Sequence, residues 1–219
     1  MNILLITEQR EGKWNKVSFE TLAAAQQIAG EVQGSLRGVV IGKGVAALAD
    51  ELASKKLEEV LLVEHALLEE YAADGFAAAL KQVIEQVKPD LVLLPHTYQV
   101  RDFAPKLAAK MNKGLVADCV GYRNDSGKLV FVRQMFQGRT AADVTFQGAA
   151  PWFATFQAGA FRADQVAAGS GKAAVKPVSV ELKTEQIRTK PLELFREAKQ
   201  AVDLTQSPII VAIGRGIRA

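Results

Sequence analysis

The sequence predicts an α/β domain: a doubly wound, mostly parallel sheet with helices on both faces and an antiparallel β extension. Three observations carry this. Up to residue 111, short apolar runs alternate with stretches of 3.6-residue periodicity. The apolar runs are continuous rather than alternating, as strands covered on both faces are. After Gly114 the helical period stops, and strand-like runs follow one another across short turns.

Residues 3–7 form the first apolar run, and Ser18 can cap a helix with Leu22, Ala25, Ile28, Ala29 and Val32 inside. Residues 36–41 are the second strand, ended by Gly42. Val45, Leu48, Ala49 and Leu52 then repeat at helical spacing. Residues 60–63 are the third strand. The next helix carries Phe76, Leu80, Val83, Ile84 and Val87 on one face, and Lys88-Pro89 stops it. Residues 91–94 are the fourth strand. Ala104, Leu107, Ala108 and Met111 mark a fourth helix, with Gly114 as its cap. Right-handed crossovers between these parallel strands give the doubly wound, Rossmann-like arrangement.

Residues 115–123, 129–135, 140–146 and 151–157 read as an antiparallel extension, with a turn at Asn124-Asp125-Ser126-Gly127. Residues 163–177 are rich in Ala, Gly, Ser and Lys and read as a flexible loop; 178–182 are one more strand. The α/β domain is thus expected over 1–182. Residues 183–207 are charged and polar, a linker with a short helix near 191–201. Residues 209–213 read as a buried strand, and Gly214-Arg215-Gly216 stands where it turns into a loop. An apolar strand leading into a Gly-rich turn is how an α/β nucleotide-binding unit begins. Either the chain is a piece of a longer protein, or the last strand belongs to the sheet before it; the first is expected.

The chain has 219 residues, 49% hydrophobic and 23% charged, enough for a core that needs no disulfide or metal staple. Its single cysteine, Cys119, rules out an internal disulfide and reads as a buried structural thiol. A net charge of +3, with Lys and Arg spread along the chain, argues against a nucleic-acid partner. No apolar run reaches the roughly 18 residues that span a bilayer, so no membrane insertion is expected. Met1 runs straight into the first strand with no basic leader, which points to a bacterial cytoplasmic protein rather than one of the mitochondrial matrix.

Candidate chemistry is sparse. His65 and His96 follow different strands with no acidic or Cys cluster at ligand spacing, so no metal site is expected. The turn after the first strand, Glu8 to Lys13, is a poor phosphate cradle because its acidic residues repel an anion. No Ser-His-Asp arrangement is visible around Ser207 or elsewhere, which leaves no catalytic residues. The turn from Pro95 to Asp102 lies where open α/β sheets bind ligands. There Thr97 and Arg101 hold a phosphate or carboxylate; alternatively, Thr97 caps a turn and Arg101 pairs with Asp102 or another carboxylate. Arg133 and Arg139 flank an aromatic and a Gly in a hairpin, either as a partner or cofactor surface or as a cationic edge.

Taken together, several segments resemble one family, the α subunit of electron transfer flavoproteins. They are Ile3 to Thr7 followed by Ser18-Phe-Glu-Thr-Leu-Ala-Ala-Ala; Leu93-Leu-Pro-His-Thr-x-x-x-Arg-Asp-x-Ala-Pro-x-Leu-Ala-Ala-x-Met; Gly114-Leu-Val-Ala-Asp-Cys; Phe131-Val-Arg-x-x-Phe-x-Gly; and Gly214-Arg-Gly. Their order and spacing make the match specific. In the family's hairpin a Tyr stands where this chain has Phe136. The resemblance implies an electron carrier rather than an enzyme, working through FAD as a heterodimer with a β subunit, between dehydrogenases and an acceptor. It also implies that residues 208–219 open the FAD domain. Most FAD contacts then lie beyond this chain, which is expected to bind no FAD by itself, and Arg215 alone carries over as a cofactor-binding residue. A stand-alone adenine-nucleotide-binding or stress-type α/β module is the rival reading. It requires a Gly-rich phosphate loop within residues 1–160, and none is there.

Overall fold

The computed structural model describes residues 1–190, 209–214 and 216. The described residues form one nine-stranded sheet with helices on both faces. Its elements are β1 Asn2–Ile6, α1 Lys16–Glu31, β4 Ser35–Gly42, α2 Ala46–Leu52, β5 Glu59–Glu64, α3 Ala73–Val87, β6 Leu91–Pro95 and α4 Tyr98–Lys110. They continue with β7 Leu115–Asp125, β8 Lys128–Met135, β9 Thr140–Val144, β10 Trp152–Phe156 and β11 Ala174–Pro177. A separate two-stranded ribbon, β2 Gln9–Arg10 and β3 Lys13–Trp14, follows β1.

The order across the sheet is β11-β5-β4-β1-β6-β10-β7-β8-β9. Pairing is parallel from β11 to β7 and antiparallel from β7 to β9. Continuous apolar runs are what this geometry demands, because alternate side chains enter two cores. Leu4, Ile6, Val92 and Leu94 pack with α3 and α4 on one face. Ile3, Leu5, Leu91 and Leu93 pack with α1 and α2 on the other. The predicted fold class is the observed one.

Several local expectations are corrected. Helix α1 is capped by Asn15, whose Oδ1 accepts from Val17 N at 3.1 Å. Ser18 lies inside the helix, where its hydroxyl accepts from Glu8 N at 2.8 Å and donates to Glu8 O at 3.1 Å. Helix α4 ends at Lys110 with Met111 as its C-cap, and the left-handed residue that follows is Asn112, φ 52°, not Gly114. Lys113 N then donates to Ala108 O and Asn112 N to Ala109 O, the double closure of a Schellman turn.

Residues 151–157 do not extend the antiparallel part. β10 returns from the far edge and inserts between β6 and β7, parallel to both. The reason is burial: Phe153, Ala154, Thr155 and Phe156 are at most 2% exposed, a strand that must be covered on both faces. The antiparallel part is therefore β7-β8-β9. Residues 163–177 are not a free loop but include a short 3-10 turn, Ala163–Gln165, and the edge strand β11 paired with β5. Residues 178–182 form no strand; they cross α3 with Val180 and Leu182 buried. Residues 209–213 form no strand either, and all five are exposed. An apolar run becomes a strand only beside a partner edge, and none of the described strands pairs with it. The helix expected at 191–201 lies outside the described residues.

Phe153 touches the α3–α4 core with no exposure. Phe153→Ala should cost about 3–5 kcal/mol, read as a lower urea midpoint; a loss below about 1 kcal/mol would mean that β10 is not the central strand described.

Candidate functional site

In a doubly wound sheet, ligands and partners meet the carboxyl ends of the strands. Here the chain leaves β1 for β4 and β5 on one side, then returns to β6 on the other. The crevice between β1 and β6 is thus the topological switch point. Two side chains close it: Thr97 Oγ1 donates to Glu8 Oε2. Asn15 Nδ2 donates to Glu8 Oε1 at 2.8 Å. Thr97 also caps α4, its hydroxyl oxygen accepting from Val100 N at 3.1 Å. The buried Glu8 carboxylate thus ties the caps of α1 and α4 together. Negative charge at two helix amino ends is stabilising, and it stands where a nucleotide phosphate would otherwise go.

Of the two readings of the turn after β6, the cap is borne out for Thr97, while Arg101 makes the expected pair with neither Asp102 nor another carboxylate among the described residues. Thr97 is a cap, already committed to Glu8 and Val100. Arg101 does not pair with Asp102; its guanidinium lies 5.6 Å from the Tyr98 ring centre. Asp102 instead accepts from Tyr71 at 2.9 Å, and burial, followed by Asp102, drives the Tyr71 hydroxyl far above its usual range.

A second cluster lies beside it, at the carboxyl ends of β6 and β10 and at Asp118 within β7. Thr155 Oγ1 accepts from Asp118 N at 2.9 Å and lies 2.8 Å from His96 Nδ1. With the Thr155 hydroxyl donating to Nδ1, the neutral His96 ring carries its proton on Nε2, which faces Asp118 Oδ1 at 3.6 Å. Asp118 holds φ 63° where the register shifts between β10 and β7. A bulge re-aims a side chain, and a strained residue within a strand marks a place where geometry is over-determined. Burial lowers the His96 pKa below the ordinary value; Asp118 opposes this, and Arg101 and Arg133 add to it. Arg133, on β8, has its Nε buried with no acceptor among the described residues.

The hairpin tip completes the surface. Phe136 is 74% exposed at φ 52°, followed by Gln137 at φ 59°. A bulky side chain rarely takes that backbone conformation. Arg139 is exposed beside it, and Tyr98 is 90% exposed at the start of α4. Arg133 and Arg139 thus share one hairpin, while only Arg133 reaches His96. Arg215, the one cofactor-binding residue implied by the family resemblance, lies outside the described residues. Cys119 is fully buried, as expected, and burial pushes its thiol up to about 12. Thr155 carried no signal in the sequence, being a lone hydroxyl in an apolar run, and Asp118 stood only as part of the Gly114-Leu-Val-Ala-Asp-Cys motif, its role depending on a bulge.

Two recesses open at the opposite end of the sheet. One of about 340 Å³ lies at the starts of β7 and β10, and one of about 450 Å³ at the starts of β4 and β5. Neither gathers the titratable groups found at the carboxyl end. Among the described residues, no helix is long and apolar enough to cross a membrane.

This parallel sheet with its antiparallel hairpin belongs to a defined class of protein: the chain is a member of the electron transfer flavoprotein domain family, whose model matches residues 3–183. The particular resemblance is to the alpha subunit. The chain is 33% identical to the electron transfer flavoprotein subunit alpha of Bacillus subtilis, over 99% of this chain and 65% of the relative. It is 34% identical to the subunit of the same name from Thermoanaerobacterium thermosaccharolyticum, over 99% of this chain and 66% of the relative. A protein of Anaerotignum propionicum named acryloyl-CoA reductase electron transfer subunit beta is 29% identical, over 99% of this chain and 66% of its own length. The chain therefore spans about 65% of the length of these relatives.

His96 should titrate by NMR below the ordinary histidine value of about 6.5. A lowered folded pKa means that the unfolded chain binds the proton more readily. This contribution to stability is present above about pH 6.5 and is lost as pH falls from there through the folded pKa. Asp118→Asn should lower the His96 pKa further and Arg133→Met should raise it; unmoved titrations in both variants would dissolve the cluster. The Cys119 thiol should resist Ellman's reagent in the native protein and react on unfolding, and a thiol that reacts at once in the native state would contradict its burial.

Proposed function

We propose that this chain is the amino-terminal α/β part of an electron transfer flavoprotein alpha subunit. The subunit is an electron carrier rather than an enzyme, working in the bacterial cytoplasm. It pairs with a β subunit and passes electrons from dehydrogenases to an acceptor through FAD. The observation that carries this reading is the family match over 3–183, the whole of the α/β domain. The names of the relatives add the alpha subunit and electron transfer.

The surface at the carboxyl end supports a docking role. Exposed Tyr98 and Phe136 with Arg101, Arg133 and Arg139 have the aromatic and arginine composition of interface cores. The buried Arg133 Nε, without an acceptor among the described residues, suits an incoming acceptor. The crevice closed by Glu8 and Thr97 weighs against the stand-alone adenine-nucleotide module. FAD, when bound by the whole subunit, supplies the redox chemistry. Residues 183–207 serve as linker, and 208–219 open the FAD domain. There the Arg215 guanidinium, between two glycines, places positive charge against the flavin, favouring its reduced, anionic form.

The test uses the subunit at the full length of its relatives, produced with its β subunit. A yellow heterodimer is expected, whereas the 219-residue chain alone should purify colourless, since one Gly-Arg-Gly turn supplies too few contacts to hold a flavin. Arg139→Ala should weaken β-subunit affinity by about tenfold. Arg215→Ala should lower both FAD retention and the midpoint potential. A yellow 219-residue chain, or a full-length subunit that ignores both substitutions, would overturn these assignments.

A further inference from the structure

After β10 the chain wraps the sheet as a belt. Residues 157–173 cross the α1 face, where Gly159 N donates to Glu20 Oε2 at 2.7 Å and Ala173 N to Ala53 O at 2.8 Å. β11 then forms the edge, and residues 178–188 cross α3 on the opposite face.

Two glutamines grip this belt in the same way. Gln26 Oε1 accepts from Ala167 N at 2.8 Å while its Nε2 donates to Ala167 O at 3.1 Å. Gln82 Oε1 accepts from Glu181 N at 2.9 Å while its Nε2 donates to Glu181 O at 2.8 Å. Each side-chain amide pairs with both backbone groups of one residue, as a neighbouring strand would.

The end of the belt meets Asp74, in the first turn of α3 and only 4% exposed. Its Oδ1 receives Lys106 Nζ at 2.8 Å and its Oδ2 receives Arg188 N at 3.3 Å, with Arg188 Nε at 3.4 Å. Lys106 first, then Arg188, hold the carboxyl far below the usual carboxylate range. A buried carboxylate needs such partners, and losing one leaves charge uncompensated. Apolar contact is thin by comparison. Between 178 and 188 only Val180 and Leu182 are buried; Ile187 is half-buried near Gly75, and Val178, half-buried, donates its N–H to Leu62 O at 2.8 Å. Where few apolar contacts hold a segment, its polar ties decide whether it opens.

We propose that Asp74 is the latch, and Gln82 the second catch, of a strap over residues 178–188 that opens as a unit separate from the sheet. The closed latch holds residues 178–188 against α3, and neutralising it frees that segment while the core stays folded.

The test is hydrogen exchange with limited trypsin digestion on the full 219-residue chain. Asp74→Asn should speed exchange at the Glu181, Gln186 and Arg188 amides, and cleavage after Lys183, by about tenfold or more, since a hydrogen bond to a charged group is worth about that factor. Amides of β1, β4 and β6 should keep their protection. Arg188→Gln serves where Asp74→Asn folds poorly: its side chain is 78% exposed, so the core does not depend on it, and it should give the same pattern more weakly. Gln82→Ala should open 178–182 more than 183–188. Unchanged strap amides in Asp74→Asn and Arg188→Gln would overturn the latch. So would loss of protection in strap and sheet together, which would make Asp74 an ordinary stability residue.

Discussion

Strand β10 has neighbours on both edges and cores on both faces, and the rest of the domain is arranged around that burial. It arrives late, after the hairpin, yet it takes the slot between β6 and β7. Phe153 fills the core under α3 and α4, and Ala154 and Phe156 the other face. Phe156 also begins a run of ring contacts. It meets Phe161 at 4.8 Å and Phe131 at 6.1 Å, and Phe131 meets Phe146 at 5.6 Å. Edge and tilted aromatic pairs of this kind add to plain area burial. The hairpin that carries Arg133 and Phe136 is thereby fastened to the central sheet instead of hanging from its edge.

The same strand builds the polar cluster. Thr155 is the one hydroxyl in β10, and it orients both His96 and Asp118. Around it the carboxyl end of the sheet divides into two regions of opposite character. At the switch point a carboxylate, Glu8, is tied to two helix caps. Toward β7 and β8, burial, with Arg101 and Arg133 adding to it, keeps His96 neutral to lower pH. Buried donors without an acceptor are costly, and among the described residues Arg133 Nε is such a donor in this region. The closed half is settled within the chain, and the open half faces outward with exposed aromatics.

Much of the architecture was legible in the sequence because burial leaves a periodic trace. Residues 3–7, 36–41, 60–63 and 91–94 read as two-faced strands, and the four helices between and after them appeared at their apolar spacing. Cys119 read as a buried thiol from its apolar neighbours. The sequence also held the ordered motifs of the family, whose match over 3–183 covers the domain. Caps were less legible. Ser18 and Gly114 had suitable chemistry, but Asn15 and Asn112 took the places, because a cap is chosen by where the first and last turns meet the sheet.

What the sequence determined by itself was the set of elements, their two-faced burial and the family; these follow from local periodicity and motif order. What only the tertiary structure decided was the slot of β10, the belt over both faces, and the meeting of Glu8 with Thr97 and of Thr155 with His96 and Asp118. Each joins residues distant in the chain, Glu8 and Thr97 being 89 positions apart. A periodic pattern says that a strand is covered on both faces, but not which strands stand beside it. That is settled by the fit of side chains between neighbours, and short-range sequence carries no record of it.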